Sequence, residues 1–142
     1  MEKMTVAVMD GQGGGIGRAL VEQIKKSYPQ LCIRVLGTNA VATSNMMRGG
    51  ADEGATGANA IIFNAAHVEV ILGPVAIIMA NGLLGEVTPA MAAAVGSSGA
   101  TKILIPSQRC RVRMAVGEDQ PLHVYLKDAV RLLGEELQNW EE

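Results

Sequence analysis

Aromatic residues are nearly missing from this chain: they make up 3% of 142 residues, with one Trp, two Tyr and one Phe. The core therefore has to be aliphatic, and no basic run with interleaved aromatics offers a stacking platform for nucleic acid. Charge is scarce too, at 18%, and the net charge of −2 gives nucleic-acid binding no support. Cysteine is limited to Cys32 and Cys110, with no C-x-x-C, which excludes a disulfide framework and a structural zinc site. No long hydrophobic run is present either. The longest, Val70 to Ala80, is broken by Gly73-Pro74 and is too short to span a bilayer. Met-Glu-Lys-Met-Thr leads straight into an apolar run with no signal-peptide pattern. These absences together lead us to expect a cytoplasmic protein with reduced thiols, no membrane segment and no nucleic-acid partner.

Hydrophobic residues make up 49%. A chain of this length suits one domain, 1–142, burying about two-thirds of its extended-chain surface. So few charges cover a small domain poorly, which predicts an apolar patch closed by homo-oligomerisation.

The chain is organised around Thr5 to Lys26. Thr-Val-Ala-Val-Met-Asp10 is a Val-rich strand pattern, Gly-Gln-Gly-Gly-Gly-Ile-Gly17 follows at once, and a helix-period pattern begins. Strand, tight turn and helix form the first half of a βαβ unit. The glycines follow Gly11-x-x-x-Gly15-x-Gly17, neither G-x-G-x-x-G nor a P-loop, because Ile16 stands where the third Gly would fall and Arg18-Ala19 follow Gly17. Glycine lets backbone approach a ligand closely, and a helix opening near Gly14 or Gly15 aims free N–H groups and a positive dipole end into the turn. Five glycines in seven residues exceed what packing alone needs. We therefore expect an anion, such as a nucleotide phosphate, over Asp10, Gly11, Gln12, Gly13, Gly14, Gly15, Ile16 and Gly17.

Further along, the first helix is expected to run from Gly15 to about Tyr28, stopped by Pro29, with Ile16, Leu20, Ile24 and Tyr28 as its apolar stripe. Leu31 to Leu36 is the second strand, and Asn39 to Arg48 a helix ending at Gly49-Gly50. Dinucleotide folds often carry an acid at the end of the second strand. Here Gly37-Thr38-Asn39 occupies it, so Thr38 and Asn39 either bond a sugar or phosphate or only cap the helix. Gly50 to Ala60 is expected to be a loop leading to a short helix capped by Thr56, with a strand as the alternative. Val68 to Gly73 is the third strand, Pro74 to Leu84 a helix or turn over the strand ends, and Thr88-Pro89 a helix start. Lys102 to Pro106 is the fourth strand. Arg111 to Val116 alternates and predicts a fifth, near an edge. Pro121 opens a final amphipathic helix with Leu122, Tyr125, Leu126, Ala129, Leu133 and Leu137 inward.

Helix and strand signals thus alternate throughout. The pattern specifies a Rossmann-like three-layer α/β/α fold with a mostly parallel sheet of about five strands. Ligands of such sheets bind beyond the strands' carboxyl ends, here Asp10–Gly17, Gly37–Asn39, Gly73–Pro74 and Pro106–Cys110. Gly73 and Pro74 join the expected binding set, as does Arg109, whose guanidinium matches phosphate geometry. Asp10 either orients a hydroxyl or cation or bonds turn amides. Cys110, between Arg109 and Arg111, is either a lowered-pKa nucleophile or a buried inert thiol. Asp10 and Cys110 are the candidates for catalysis. His67 and His123 fall on helical segments as surface residues.

Asp10-Gly-Gln-Gly-Gly-Gly-Ile-Gly17 resembles the cofactor turn of short-chain dehydrogenases, T-G-x-x-x-G-x-G. Their catalytic Tyr-x-x-x-Lys has no counterpart, since Tyr28 is followed at the fourth place by Cys32 and Tyr125 by Ala129. Nearly the whole chain is similar to an uncharacterised family of small bacterial proteins, a domain of unknown function. That resemblance rests on Asp10–Gly17, Leu36-Gly-Thr-Asn-Ala40, Gly54-Ala-Thr-Gly57, Leu72-Gly-Pro74, Thr88-Pro-Ala-Met91 and Ile103-Leu-Ile-Pro106 with Arg109-Cys110. It implies a Rossmann-like fold and no particular activity. The expected partner is a phosphorylated small molecule, with NAD(P) or another nucleotide as candidate cofactors. The leading reading is a binder of such a ligand. The alternatives are a small metabolite enzyme using Asp10 or Cys110, and a structural or regulatory homo-oligomer without ligand.

Overall fold

A computed structural model describes residues 3–107 and 111–141. Five strands, β1 (Val6–Asp10), β2 (Ile33–Gly37), β3 (Glu53–Thr56), β4 (Val70–Pro74) and β5 (Thr101–Ile105), form one sheet in the order β3-β2-β1-β4-β5. Every pairing is parallel. The helices are α1 (Gly15–Ser27), α2 (Ala40–Arg48), α3 (Ala58–Ala65), α4 (Pro89–Gly96) and α5 (Leu122–Glu141), and a 3-10 turn covers Val75–Ile78. This is a Rossmann-like α/β architecture. The chain steps from central β1 out to β2 and β3, then returns to add β4 and β5 on the other side. The topological switch point therefore lies between β1 and β4.

Alternation along β1 explains the layering. Val6 and Val8 face one side of the sheet, where they pack with Leu20, Val21 and Ile24 of α1, Met46 of α2, and Leu126, Ala129 and Leu133 of α5. Ala7 and Met9 face the other side, with Ile61 and Ala65 of α3 and Met91 and Val95 of α4. A sheet covered on both faces needs continuously apolar central strands, and Val6 to Asp10 and Val70 to Pro74 are buried throughout.

α1 ends at Ser27, with Lys25 and Lys26 in its last turn where they favour the dipole. Asn39 caps α2 by accepting from the Ala42 amide at 2.9 Å, and Thr88 caps α4 through the Met91 amide at 3.1 Å, with Pro89 at the first helical position. Both starts follow the sequence signals.

Four expectations are corrected. Arg111 to Val116 forms no strand: Arg111 has φ 55°, the segment is largely exposed, and no ladder joins it to β5. Its alternation puts charge on one face, while Met114 and Val116 on the other stay exposed. The sheet's remaining strand is β3, inside the Gly50–Ala60 segment, where the strand alternative holds in place of the expected loop. Glu53-Gly-Ala-Thr56 has little intrinsic strand preference, but it pairs with the edge of β2, from Arg34 opposite Glu53 to Gly37 opposite Thr56. Thr56 consequently belongs to β3, its hydroxyl bonded to Thr43 Oγ1, and Gly57 at φ 103° is the N-cap residue of α3. In α5, Leu122 is 42% exposed; Leu126, Ala129 and Leu133 are buried, with Tyr125 and Leu137 partly so.

Candidate functional site

The carboxyl end of β1 is built around Asp10. Its side chain is buried, and its two oxygens accept from the Gly11 and Gly17 amides, each at 2.7 Å. One carboxylate thus ties the strand end to the first turn of α1 and fixes the loop between them. Burial pushes the Asp10 carboxyl above its ordinary value against the opposing bonds from Gly17 and Gly11, and the nearby Glu86 charge acts in the same direction as burial. This geometry uses Asp10 as the brace of the turn.

Within the loop the glycines have different tasks. Gly14 has φ 71°, and a Cβ there would lie 2.7 Å from the Ala42 carbonyl oxygen, so both conformation and space require glycine. Gly17 is a packing position, since a side chain would run into Met46 of α2. Gly13 and Gly15 differ from both. They are exposed, and no heavy atom comes within 4 Å of where their Cβ atoms would stand. No acceptor among the described residues takes the N–H of Gly13, Gly15 or Ile16. For Gly15 and Ile16 this follows from their place at the start of α1, where the first amides have no intrahelical partner. Three amides without an acceptor therefore lie at or just before the positive end of α1, with open space beside Gly13 and Gly15.

Beside this opening lies a carboxylate that sequence reasoning did not include. Glu86 follows β4 in the chain, yet its Oε1 accepts from the Gln12 amide at 2.8 Å, Thr38 Oγ1 at 2.6 Å and Asn39 Nδ2 at 2.9 Å. It crosses the switch point from the β4 side to the end of β2. A Cβ at Gly11 would lie 2.6 Å from Thr38 Oγ1, 2.7 Å from Leu83 Cδ1 and 3.0 Å from Glu86 Oε1, so this glycine makes room for the bridge. Burial opposes ionisation of Glu86, but the bonds from Thr38, Gln12 and Asn39 outweigh it and hold the carboxyl below its ordinary value. The segment carrying it is tightly turned, with positive φ at Asn81, Leu83, Leu84 and Gly85. It closes on itself through Asn81 N–H to the Val87 carbonyl at 2.7 Å and Val87 N–H to the Gly82 carbonyl at 3.1 Å.

Thr38 and Asn39 are thus brought to the glycine turn, and Asn39 also caps α2 and donates to the Gln12 carbonyl at 3.0 Å. Gly73 and Pro74 are brought to no crevice wall. Both are buried within β4, where a Gly73 side chain would run into the Met9 carbonyl. Arg109 and Cys110 lie outside the described residues. The 3-10 turn at Val75–Ile78 and the turns after it fill the place expected for Pro74 to Leu84. His67 follows α3, its ring stacked on Phe63 at 4.2 Å, and His123 lies in α5. A separate concavity of about 740 Å³ opens between Pro106 and Tyr125, lined by Arg111, Arg113 and Glu118 among others. Among the described residues no group of three or more His, Cys, Asp or Glu side chains is placed to hold a metal, and no helix is long and apolar enough to cross a membrane.

Residues 5–138 match the model of a family described as a domain of unknown function, DUF3842. The chain belongs to that family. No curated protein matches the sequence. Among solved structures the fold is similar to a chain described as a dodecameric FMN-dependent UbiX-like decarboxylase from Escherichia coli O157:H7. The two are 18% identical, with a TM-score of 0.43, over 92% of this DUF3842 chain and 76% of the other.

Proposed function

We propose that this protein binds a nucleotide or another phosphorylated small molecule at the Gly11–Gly17 turn, with NAD(P) among the candidates. The observation that carries the reading is the set of free N–H groups on Gly13, Gly15 and Ile16, with open space beyond the two glycines. A phosphate there accepts from backbone donors that need no rearrangement and sits at the positive end of α1. Asp10 holds the donors in place without reaching the ligand, and Thr38 and Asn39 form the rim through Glu86.

Calorimetric titration with AMP tests this. The wild type binds AMP, and Gly15→Val lowers the affinity about tenfold or more by filling the space the phosphate needs, with the fold intact. Equal affinity in the variant overturns the reading.

A second reading concerns self-association. Val41 is 68% exposed, Phe63 57% and Leu84 95%, on a chain with few charges to surround them. We read these positions as part of an interface between copies of the chain. A native mass spectrum showing a single subunit mass at micromolar concentration contradicts it.

A further inference from the structure

We infer that Glu86 is the hydroxyl acceptor of the ligand site, which makes the favoured ligand a ribonucleotide whose ribose hydroxyls are free. The inference rests on the reading of the glycine turn as a phosphate site. The end of β2 carries no acid, but Glu86 brings a carboxylate to that place from a different part of the chain. Three donors hold Oε1. No donor among the described residues takes Oε2, and no Lys, Arg or His among them pairs with the carboxylate. One oxygen is therefore anchored, and the other is an acceptor-only atom on a half-buried group.

The two halves of the site then have opposite demands. The start of α1 offers donors and attracts an anion. Oε2 of Glu86 repels a second phosphate and takes a hydroxyl. A phosphate ester with a free diol satisfies both, whereas inorganic phosphate satisfies one and a 2′-phosphorylated nucleotide is opposed at Glu86.

The test compares AMP with 2′,3′-dideoxy-AMP by calorimetry on the wild type and on Glu86→Gln. The substitution is nearly isosteric. Its carbonyl replaces Oε1 as acceptor for Gln12, Thr38 and Asn39, and its NH₂ replaces the free acceptor with a donor. The wild type binds AMP about tenfold tighter than the dideoxy compound, as expected for a hydrogen bond to a charged group. In Glu86→Gln that gap narrows because the charged acceptor is lost, while dideoxy-AMP still binds at least as well as to the wild type, which also shows that the variant is folded. Two results overturn the inference: equal binding of both nucleotides to the wild type, or a gap that is undiminished in the variant. If neither nucleotide binds the wild type, the glycine-turn reading fails and this inference fails with it.

Discussion

The carboxylate of Glu86 and the hydroxyl of Thr38, 48 positions apart, meet at 2.6 Å over Gly11. The bond joins the segment after β4 to the end of β2 across the switch point and closes one side of the glycine turn. Thr38→Val removes the donor and keeps the shape. A charged, half-exposed acceptor losing one of three donors costs about 1 kcal/mol in urea denaturation. The Glu86 carboxyl should move up toward its ordinary value, which carboxyl-detected NMR titration reads directly.

Asp10 has a heavier structural duty. Asp10→Ala leaves the Gly11 and Gly17 amides without their acceptor at a buried position. Each such orphaned group costs about 1–3 kcal/mol, so the variant should lose several kcal/mol or fail to fold. Asp10→Asn retains one accepting oxygen and should lose less. A neutral effect for both would show that the turn does not depend on this brace.

The glycines should separate by task. Gly14→Ala forces a side chain into φ 71° and against the Ala42 carbonyl. The backbone conformation alone costs about 1–2 kcal/mol, and the contact adds to it. Gly13→Ala and Gly15→Ala enter open space and should leave the denaturation midpoint nearly unchanged. Similar losses at all three positions would show that the loop is held differently.

The fold was largely legible in the sequence because periodicity and punctuation agreed. The runs at Val6, Val70 and Thr101, the caps Asn39 and Thr88 and the apolar stripe of α5 each carried a local signal. β3 carried almost none. Glu53 to Thr56 becomes a strand because β2 offers an unpaired edge, and pairing across chain-distant segments leaves no mark in Glu-Gly-Ala-Thr. Arg111 to Val116 had the alternation, yet Arg111 turns at φ 55° and no ladder joins the segment to the open edge of β5. Glu86 was missed for a related reason, since its partners are joined only by the fold. One signal was present: it is the only charged residue between Val70 and Thr101. A lone carboxylate in so apolar a stretch needs donors from elsewhere.

Acid should loosen the site before the core. Glu86 and Asp52 both have lowered carboxyl values: hydrogen bonds outweigh burial at Glu86, and at Asp52 the Lys25 ammonium leads, with the Ile33 amide adding to it. Groups lowered in the folded state stabilise it above their ordinary values, 4.5 for Glu86 and 3.8 for Asp52, and that contribution is lost as pH falls through the folded ones. Asp10, raised by burial, runs the other way and favours the fold when protonated. Stability measured between neutral pH and about pH 3 should therefore fall less in Glu86→Gln than in the wild type. An equal or steeper fall in the variant would contradict this account.

The most direct test of the central claim is a ¹⁵N-resolved NMR titration of the wild type with AMP. The Gly13, Gly15 and Ile16 amide resonances should move first and furthest, saturably, while the Gly11 and Gly17 amides, already bound to Asp10, move less. Saturable shifts confined to residues away from the turn, or no shifts at all, would contradict it.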